Sequence, residues 1–198
     1  MNILLLSPHA DDIELGCGGS IIKFIEKGER LFWVVFSIDS SKEMKSEFLE
    51  VMDGMAITEY KIFNFKRRIL HKYRQEILQH LVDIGRDFSP DLVICPSLRD
   101  YHQDHKTIAE EAVRAFKKTS IICYELSWNI ITFSSQCFIE LKKRHIEKKL
   151  EMLKIYKSQL VGREEYFSKD FIYGIAKVRG VQSGSDYAES FEIIRWKI

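Results

Sequence analysis

The sequence predicts a single α/β domain, with a mainly parallel twisted sheet, helices on both faces and an irregular C-terminal extension. Three observations predict it. Short apolar runs rich in β-branched and aromatic residues alternate with longer amphipathic segments. Repeated strand–helix–strand units require right-handed crossovers, which place helices on both faces of a parallel sheet. The length of 198 residues suits one core, and no repeat, low-complexity tract or linker divides it, so the domain is expected to span 1–198.

Each element follows from its own residues. NILLLS (2–7) is a short apolar run that reads as a buried strand, and GGSIIKFIEKG (18–28) has helical period with Gly28 near its stop. RLFWVVFSI (30–38) is a second strand by its β-branched and aromatic content. SKEMKSEFLEVMDGMA (41–56) is helical in period, and EYKIFNF (59–65) reads as a third strand. HKYRQEILQHLVDIGRDF (71–88) is the clearest amphipathic helix, ended by Pro90 before the fourth strand, DLVICPS (91–97). HKTIAEEAVRAFKK (105–118) is another helix and TSIICYELSW (119–128) a fifth strand. Regularity then lapses. FSSQCFIEL (133–141) reads as an added strand, IEKKLEMLKIYKSQL (146–160) as a helix and SFEIIRW (190–196) as a final strand.

Composition narrows the function classes. A net charge of +1 gives no global field for nucleic acid or an acidic membrane, and KRR (66–68) and KKRH (142–145) read as a solvated loop and helix face. Cys17, Cys95, Cys123 and Cys137 form no CxxC pair, which predicts free thiols in a reducing compartment. The N-terminal apolar run is too short for a leader, and nothing approaches the ~20 apolar residues of a membrane span. The expectation is a soluble, cytoplasmic protein, compatible with assembly into a homo-oligomer.

The chemistry is concentrated in SPHADDIELGCGGS (7–20), after strand one, and RDYHQDH (99–105), after strand four. Ligands of open parallel sheets bind beyond the carboxyl ends of the strands, so the two clusters can converge across a long separation. His9, Asp12 and His105 would make a two-histidine, one-carboxylate set with an open position, the usual composition of a catalytic zinc. A metal there would lower the pKa of a water to about 7. Asp11 is placed to take its proton. His102 would stabilise the oxyanion or protonate the leaving amine, with Asp104 holding its tautomer.

Each cluster alone is ordinary. Asp-Asp before a helix is commonly an N-cap, and polar loop tips are often His- and Asp-rich. Their joint occurrence at one sheet edge favours a site. Gly16, Gly18 and Gly19 lack the dinucleotide-binding spacing and instead suggest a tight turn and close helix packing, with Cys17 as a small packed residue. His71, His80 and His145 read as surface or capping residues.

PHADDIELGCGG and DYHQDH resemble the two motifs of the PIG-L/LmbE-like zinc de-N-acetylases, and KIYKSQ (154–159) and RGVQSGSDYAESFEII (179–194) extend the resemblance over nearly the whole chain. The resemblance implies a Rossmann-like domain, one divalent metal (zinc, with Fe²⁺ or Co²⁺ as substitutes) on His9, Asp12 and His105, Asp11 as base, and His102 assisted by Asp104. It implies a small-molecule N-acetyl sugar as substrate and release of acetate. Where many members carry an Arg in the helix after strand two, this chain has Met44 or Lys45; where many carry an Asp after strand three, it reads NFKRRIL. That basic turn points to an anionic sugar or sugar nucleotide. Substrate-side candidates are Arg68, Trp128, Asn129, Arg179 and Gln182. The rival readings are a related amidase acting on a thiol conjugate, a non-catalytic sugar-binding protein and a nucleotide-dependent oxidoreductase.

Overall fold

The computed structural model describes residues 1–38 and 42–197. Seven strands form one sheet among the described residues: β1 (Asn2–His9), β2 (Arg30–Ser37), β3 (Tyr60–Ile62), β4 (Leu92–Pro96), β5 (Ser120–Tyr124), β6 (Cys137–Leu141) and β7 (Tyr187–Arg195). Their order is β3-β2-β1-β4-β5-β7-β6. The first five run parallel, and β7 pairs antiparallel with both β5 and β6. The strand order reverses direction between β1 and β4, so the crevice where ligands bind in such sheets opens beside His9.

Helices cover both faces, as the alternating sequence requires. Along β1, Ile3 and Leu5 belong to one core and Leu4 and Leu6 to the other; Trp33 and Val35 alternate with Val34 and Phe36 in the same way. The first core packs beneath α1 (Asp12–Glu26), α2 (Lys42–Gly54), α5 (Lys143–Leu153) and α8 (Lys169–Ser183). The second lies under α3 (Arg74–Phe88) and α4 (Gln103–Ala115). Burial on both faces is why these strands read as unbroken apolar runs. All four cysteines are free, with Cys95 and Cys123 Sγ atoms 3.7 Å apart on neighbouring strands. No described helix is long and apolar enough to cross a membrane.

Several expected elements differ in extent. The helix expected at 41–56 is α2; Ser41 lies outside the described residues. The third strand shrinks from 59–65 to Tyr60–Ile62, with Asn64 in an isolated antiparallel bridge to Ser37. A 3-10 turn at Leu70–Tyr73 precedes α3. The helix expected at 146–160 starts earlier and breaks after Leu153, because Tyr156 turns inward, fully buried, to donate its hydroxyl to Glu14. Two short helices follow, α6 (Lys157–Leu160) and α7 (Glu164–Phe167).

Helix α8 is missing from the sequence-based expectation. Ser168 caps its start, accepting from the Phe171 N–H at 3.1 Å, and Gly184 ends it at φ 77°. Its buried stripe is Ile172, Ala176 and Gly180, too small to stand out as a hydrophobic period. Gly180 is required: a Cβ there would meet the Asp186 carbonyl oxygen at 2.6 Å, so the helix could not lie against the start of β7.

Helix α1 begins at Asp12, six residues earlier than expected, and is kinked at Cys17 (φ −147°, ψ 28°). The kink has an identifiable cause. Glu189 of β7 accepts from the Gly19 N–H (3.0 Å), the Ser20 N–H (2.7 Å) and the Ser20 hydroxyl (2.6 Å). Lys149 of α5 donates to the freed Leu15 carbonyl and to Glu189, both at 2.7 Å. A buried ion pair is thus inserted into the helix ladder, satisfying the groups the kink exposes. The glycines make room for it: a Cβ on Gly18 would press on the Lys149 stem at 3.1 Å, and one on Gly19 would meet Glu189 Oε1 at 3.2 Å and Leu141 at 2.5 Å.

Candidate active site

The two polar clusters meet at the β1/β4 crevice. His9 ends β1, Asp12 opens α1, and His105 lies in the first turn of α4. His9 Nδ1 and Asp12 Oδ2 are 3.1 Å apart, Asp12 Oδ2 and His105 Nε2 3.2 Å, and His105 Nε2 and His9 Nδ1 3.3 Å. A tetrahedral zinc with ligand bonds of about 2.0–2.1 Å has edges of about 3.3–3.4 Å. The three donor atoms therefore already stand at the spacing of one face of that tetrahedron.

The far sides of the imidazoles are held by carboxylates. His9 Nε2 faces Asp104 Oδ2 at 3.0 Å, and His105 Nδ1 faces Asp100 Oδ2 at 2.7 Å. Each carboxylate accepts from the far nitrogen of its ring and so aims the near nitrogen at the triangle. Burial alone would lower the His105 pKa, but Asp12 and Asp100 outweigh it and raise it to about 10. Burial likewise opposes ionisation of Asp12, yet His105 and His9 hold its pKa well below the carboxylate range. In the metal-free chain a proton on His105 thus fills the place a cation would take.

Asp11 is the N-cap residue of α1, but its side chain makes no capping bond. It adopts φ 87°, in the left-handed region that Asp tolerates better than most residues. The carboxylate is buried and directed into the cleft, 3.4 Å from Arg163 Nη1. Burial first, and then Asp12, raise its pKa to about 7, while Arg163, His9 and Arg67 oppose the rise. Asp12, for its part, accepts from the His9 N–H at 2.8 Å. The capping interpretation of the aspartate pair fails for Asp11.

His102 stacks on His105 with ring centroids 4.4 Å apart, and ring nitrogens of His9, His102 and His105 lie within 4.8 Å of one another. Its Nδ1 accepts from the Asp104 N–H at 3.2 Å, so the neutral ring carries its proton on Nε2. Burial, His105 and His9 push its pKa down to about 4. Here the structure corrects an expectation. The Asp104 side chain does not hold His102; it bonds His9 and the N–H groups of Arg68 (2.6 Å) and Leu70 (3.0 Å), and only its backbone meets His102. The α4 geometry explains this: with His102 as N-cap, the Asp104 side chain in the first turn points toward β1.

A cleft of about 160 Å³ opens over these groups, lined also by Leu15, Arg67, Trp128, Asn129, Arg163 and Tyr166. Trp128 and Asn129 are where the sequence placed them. Arg68, Arg179 and Gln182 are not. At φ 67° Arg68 turns the chain and offers its backbone to Asp104 and Gln103, and Arg67 lines the cleft in its place. Arg179 is tied to Glu125 and to Gln182 Oε1 (2.8 Å) on α8, away from the cleft. Met44 is buried and Lys45 exposed, and neither lines the cleft. Asp100, Arg67, Arg163 and Tyr166 were missed. Two of them carried a signal: a ligating histidine would need an acceptor such as Asp100 for its second nitrogen, and Arg67 lay in the basic turn already noted, though Arg68 was chosen from it.

The model of the GlcNAc-PI de-N-acetylase (PIG-L) family matches residues 4–116, a span that contains both clusters. The uncharacterized deacetylase YaiS of Escherichia coli (strain K12) is 27% identical over 167 residues, covering 79% of this chain and 90% of that protein. N,N'-diacetylchitobiose deacetylase from Pyrococcus horikoshii superposes with a TM-score of 0.82 at 22% identity, covering 98% of this chain and 83% of that one. GalB, the 4-carboxy-2-hydroxymuconate hydratase of Pseudomonas putida KT2440, superposes with a TM-score of 0.81 at 17% identity, covering 100% and 97%. These structural likenesses show the fold, and a fold of this kind can carry more than one reaction.

Proposed function

We propose that this chain, which belongs to the GlcNAc-PI de-N-acetylase (PIG-L) family, is a metal-dependent hydrolase that removes the acetyl group from an N-acetylated amino sugar. The observation that carries the reading is the triangle of His9, Asp12 and His105 donor atoms, 3.1–3.3 Å on each side, beside the buried carboxylate of Asp11. The donor set and spacing fit zinc, and Fe²⁺ or Co²⁺ suit the same ligands.

A divalent cation bound there supplies Lewis acidity and makes water a nucleophile near neutral pH. The chain's own groups do the rest. Asp11, with its pKa near 7, accepts the proton of the attacking water as the new C–O bond forms. His102, neutral and protonated on Nε2, donates to the oxygen of the amide as negative charge develops. The C–N bond then breaks, and the proton held by Asp11 passes to the departing amine, leaving acetate and a free amino sugar. Asp104 and Asp100 keep the imidazoles of His9 and His105 in the required tautomers. Trp128 and Tyr166, stacked at 4.1 Å, provide an apolar wall for a sugar ring.

The deciding measurement is metal per chain by elemental analysis in the wild type and in His9→Ala, followed by acetate release from N-acetyl sugars. About one metal in the wild type and little in the variant is expected. Failure of both proteins to take up zinc, iron or cobalt would remove the reading.

A further inference from the structure

The cleft wall away from the histidines carries two guanidinium groups and no carboxylate beyond Asp11 and Asp12 among the described residues that line it. Arg67 comes from the turn after β3, and its side chain makes no hydrogen bond or ion pair with any described residue. Arg163 precedes α7 and spends one nitrogen, Nη1, on both Asp11 (3.4 Å) and Gln159 Oε1 (3.0 Å). Its Nε and Nη2 edge has no partner among the described residues, and the side chain is 32% exposed. Among the described residues, therefore, neither guanidinium is fully paired.

A pair of guanidinium groups is a costly way to recognise a neutral sugar, whose hydroxyls are read as well by carboxylates, amides and backbone groups. Planar, permanently charged forks match carboxylate and phosphate oxygens, often through two parallel bonds. The acids of the cleft offset the two charges only in part: Arg163 and Arg67 both act on Asp11, but only Arg163 comes within ion-pair distance of it. Asp12 is turned to the imidazoles, and Asp11 meets only Nη1 of Arg163. The remaining walls are the Trp128–Tyr166 stack, which suits a ring face, and Asn129.

We propose that the cleft selects amino sugars bearing an anionic group, a carboxylate or a phosphate ester, bound by Arg67 and the free edge of Arg163. This rests on the deacetylase reading for the identity of the sugar, but its test does not require turnover. Calorimetry on the zinc-loaded full chain would compare glucosamine, glucosamine 6-phosphate and 2-amino-2-deoxyglucuronic acid, the amine products of the candidate reaction. The anionic compounds are expected to bind at least about tenfold more tightly than glucosamine, an advantage that falls with added salt. Which of the two binds more tightly separates a phosphate from a carboxylate specificity.

Arg67→Gln and Arg163→Gln should each erode the advantage, and the double variant should abolish it. Circular dichroism would confirm that the variants fold. Equal binding of all three compounds to the wild type overturns the proposal. So does an advantage that survives in the double variant, which would mean that the anion binds the metal directly. Acetate release from the three N-acetylated counterparts is scored separately: none from any of them would remove the deacetylase reading while the calorimetry still decides the role of the arginines.

Discussion

Replacing Lys149 with Met keeps the side chain's length and apolar stem while deleting the ammonium group. In the native chain that group donates to the Leu15 carbonyl and the Glu189 carboxylate, both at 2.7 Å, and both partners of the ion pair are almost fully buried. Lys149→Met leaves a buried carboxylate without its counter-charge and a helix carbonyl without a donor. Breaking a buried pair by removing one partner costs about 3–5 kcal/mol. At about 2.1 cal/mol/K per residue, unfolding 198 residues has an entropy of about 0.42 kcal/mol/K, so the melting temperature should fall by about 7–12 °C. Glu189→Gln keeps an oxygen for Gly19 and Ser20 but removes the charge, so the double variant should lose less than the two single losses added together. Thermal melts of the four metal-free proteins form the cycle, with coupling of at least about 1.5 kcal/mol expected. Losses that add to within about 0.5 kcal/mol, or a Lys149→Met variant as stable as the wild type, would refute the ion pair as the cause of the α1 kink.

Three further outcomes follow from the site. Asp11→Asn should retain about one metal per chain and lose about 10²–10⁴-fold in turnover, whereas Asp12→Ala should lose the metal as well; elemental analysis with an acetate assay separates them. Asp100→Asn or Asp104→Asn should weaken metal affinity by about 10–100-fold, read by competition with a chromogenic chelator, with unchanged affinity contradicting their support of His105 and His9. Because the raised His105 pKa, about 10, keeps that ring protonated at neutral pH, an arriving cation must displace its proton. Affinity should therefore rise with pH through the neutral range, with about one proton released from this ring. Calorimetry in buffers of different ionisation enthalpy measures that release, and a buffer-independent heat would count against it.

The parts of the fold legible in the sequence were those with a strong period. Strands β1, β2, β4 and β5 are buried on both faces, so they show as apolar runs, and α3 carries a wide apolar stripe. Helix α8 buries only Ile172, Ala176 and Gly180, so its evidence lies in close approach to β7, which no local pattern records. The convergence of His9, Asp12 and His105 could be read because each follows a parallel strand at one sheet edge. The partners of those residues were harder. Asp104 appeared in the motif, but which imidazole it meets depends on the direction of the first turn of α4. Arg163 belongs to no motif and reaches Asp11 only because the chain breaks at Tyr156 and returns over the cleft. Arg67 and Arg68 are adjacent in one turn, and the positive φ of Arg68 decides which of them lines the cleft.

The splint that bends α1 also imposes an order of events. A ribosome releases His9, Asp12 and the glycines first, yet the carboxylate that bends the helix beneath them is at position 189. Chains emerge from the N-terminus at about 5–20 residues per second, so that carboxylate follows Gly19 by about 9–34 seconds. Until then the first turns of α1 have nothing to hold Gly19 and Ser20 out of the ordinary helical ladder. The bend in α1 is thereby tied to the last strand of the sheet: a chain stalled before β7 would carry every residue of the triangle without the carboxylate that holds Gly19 and Ser20.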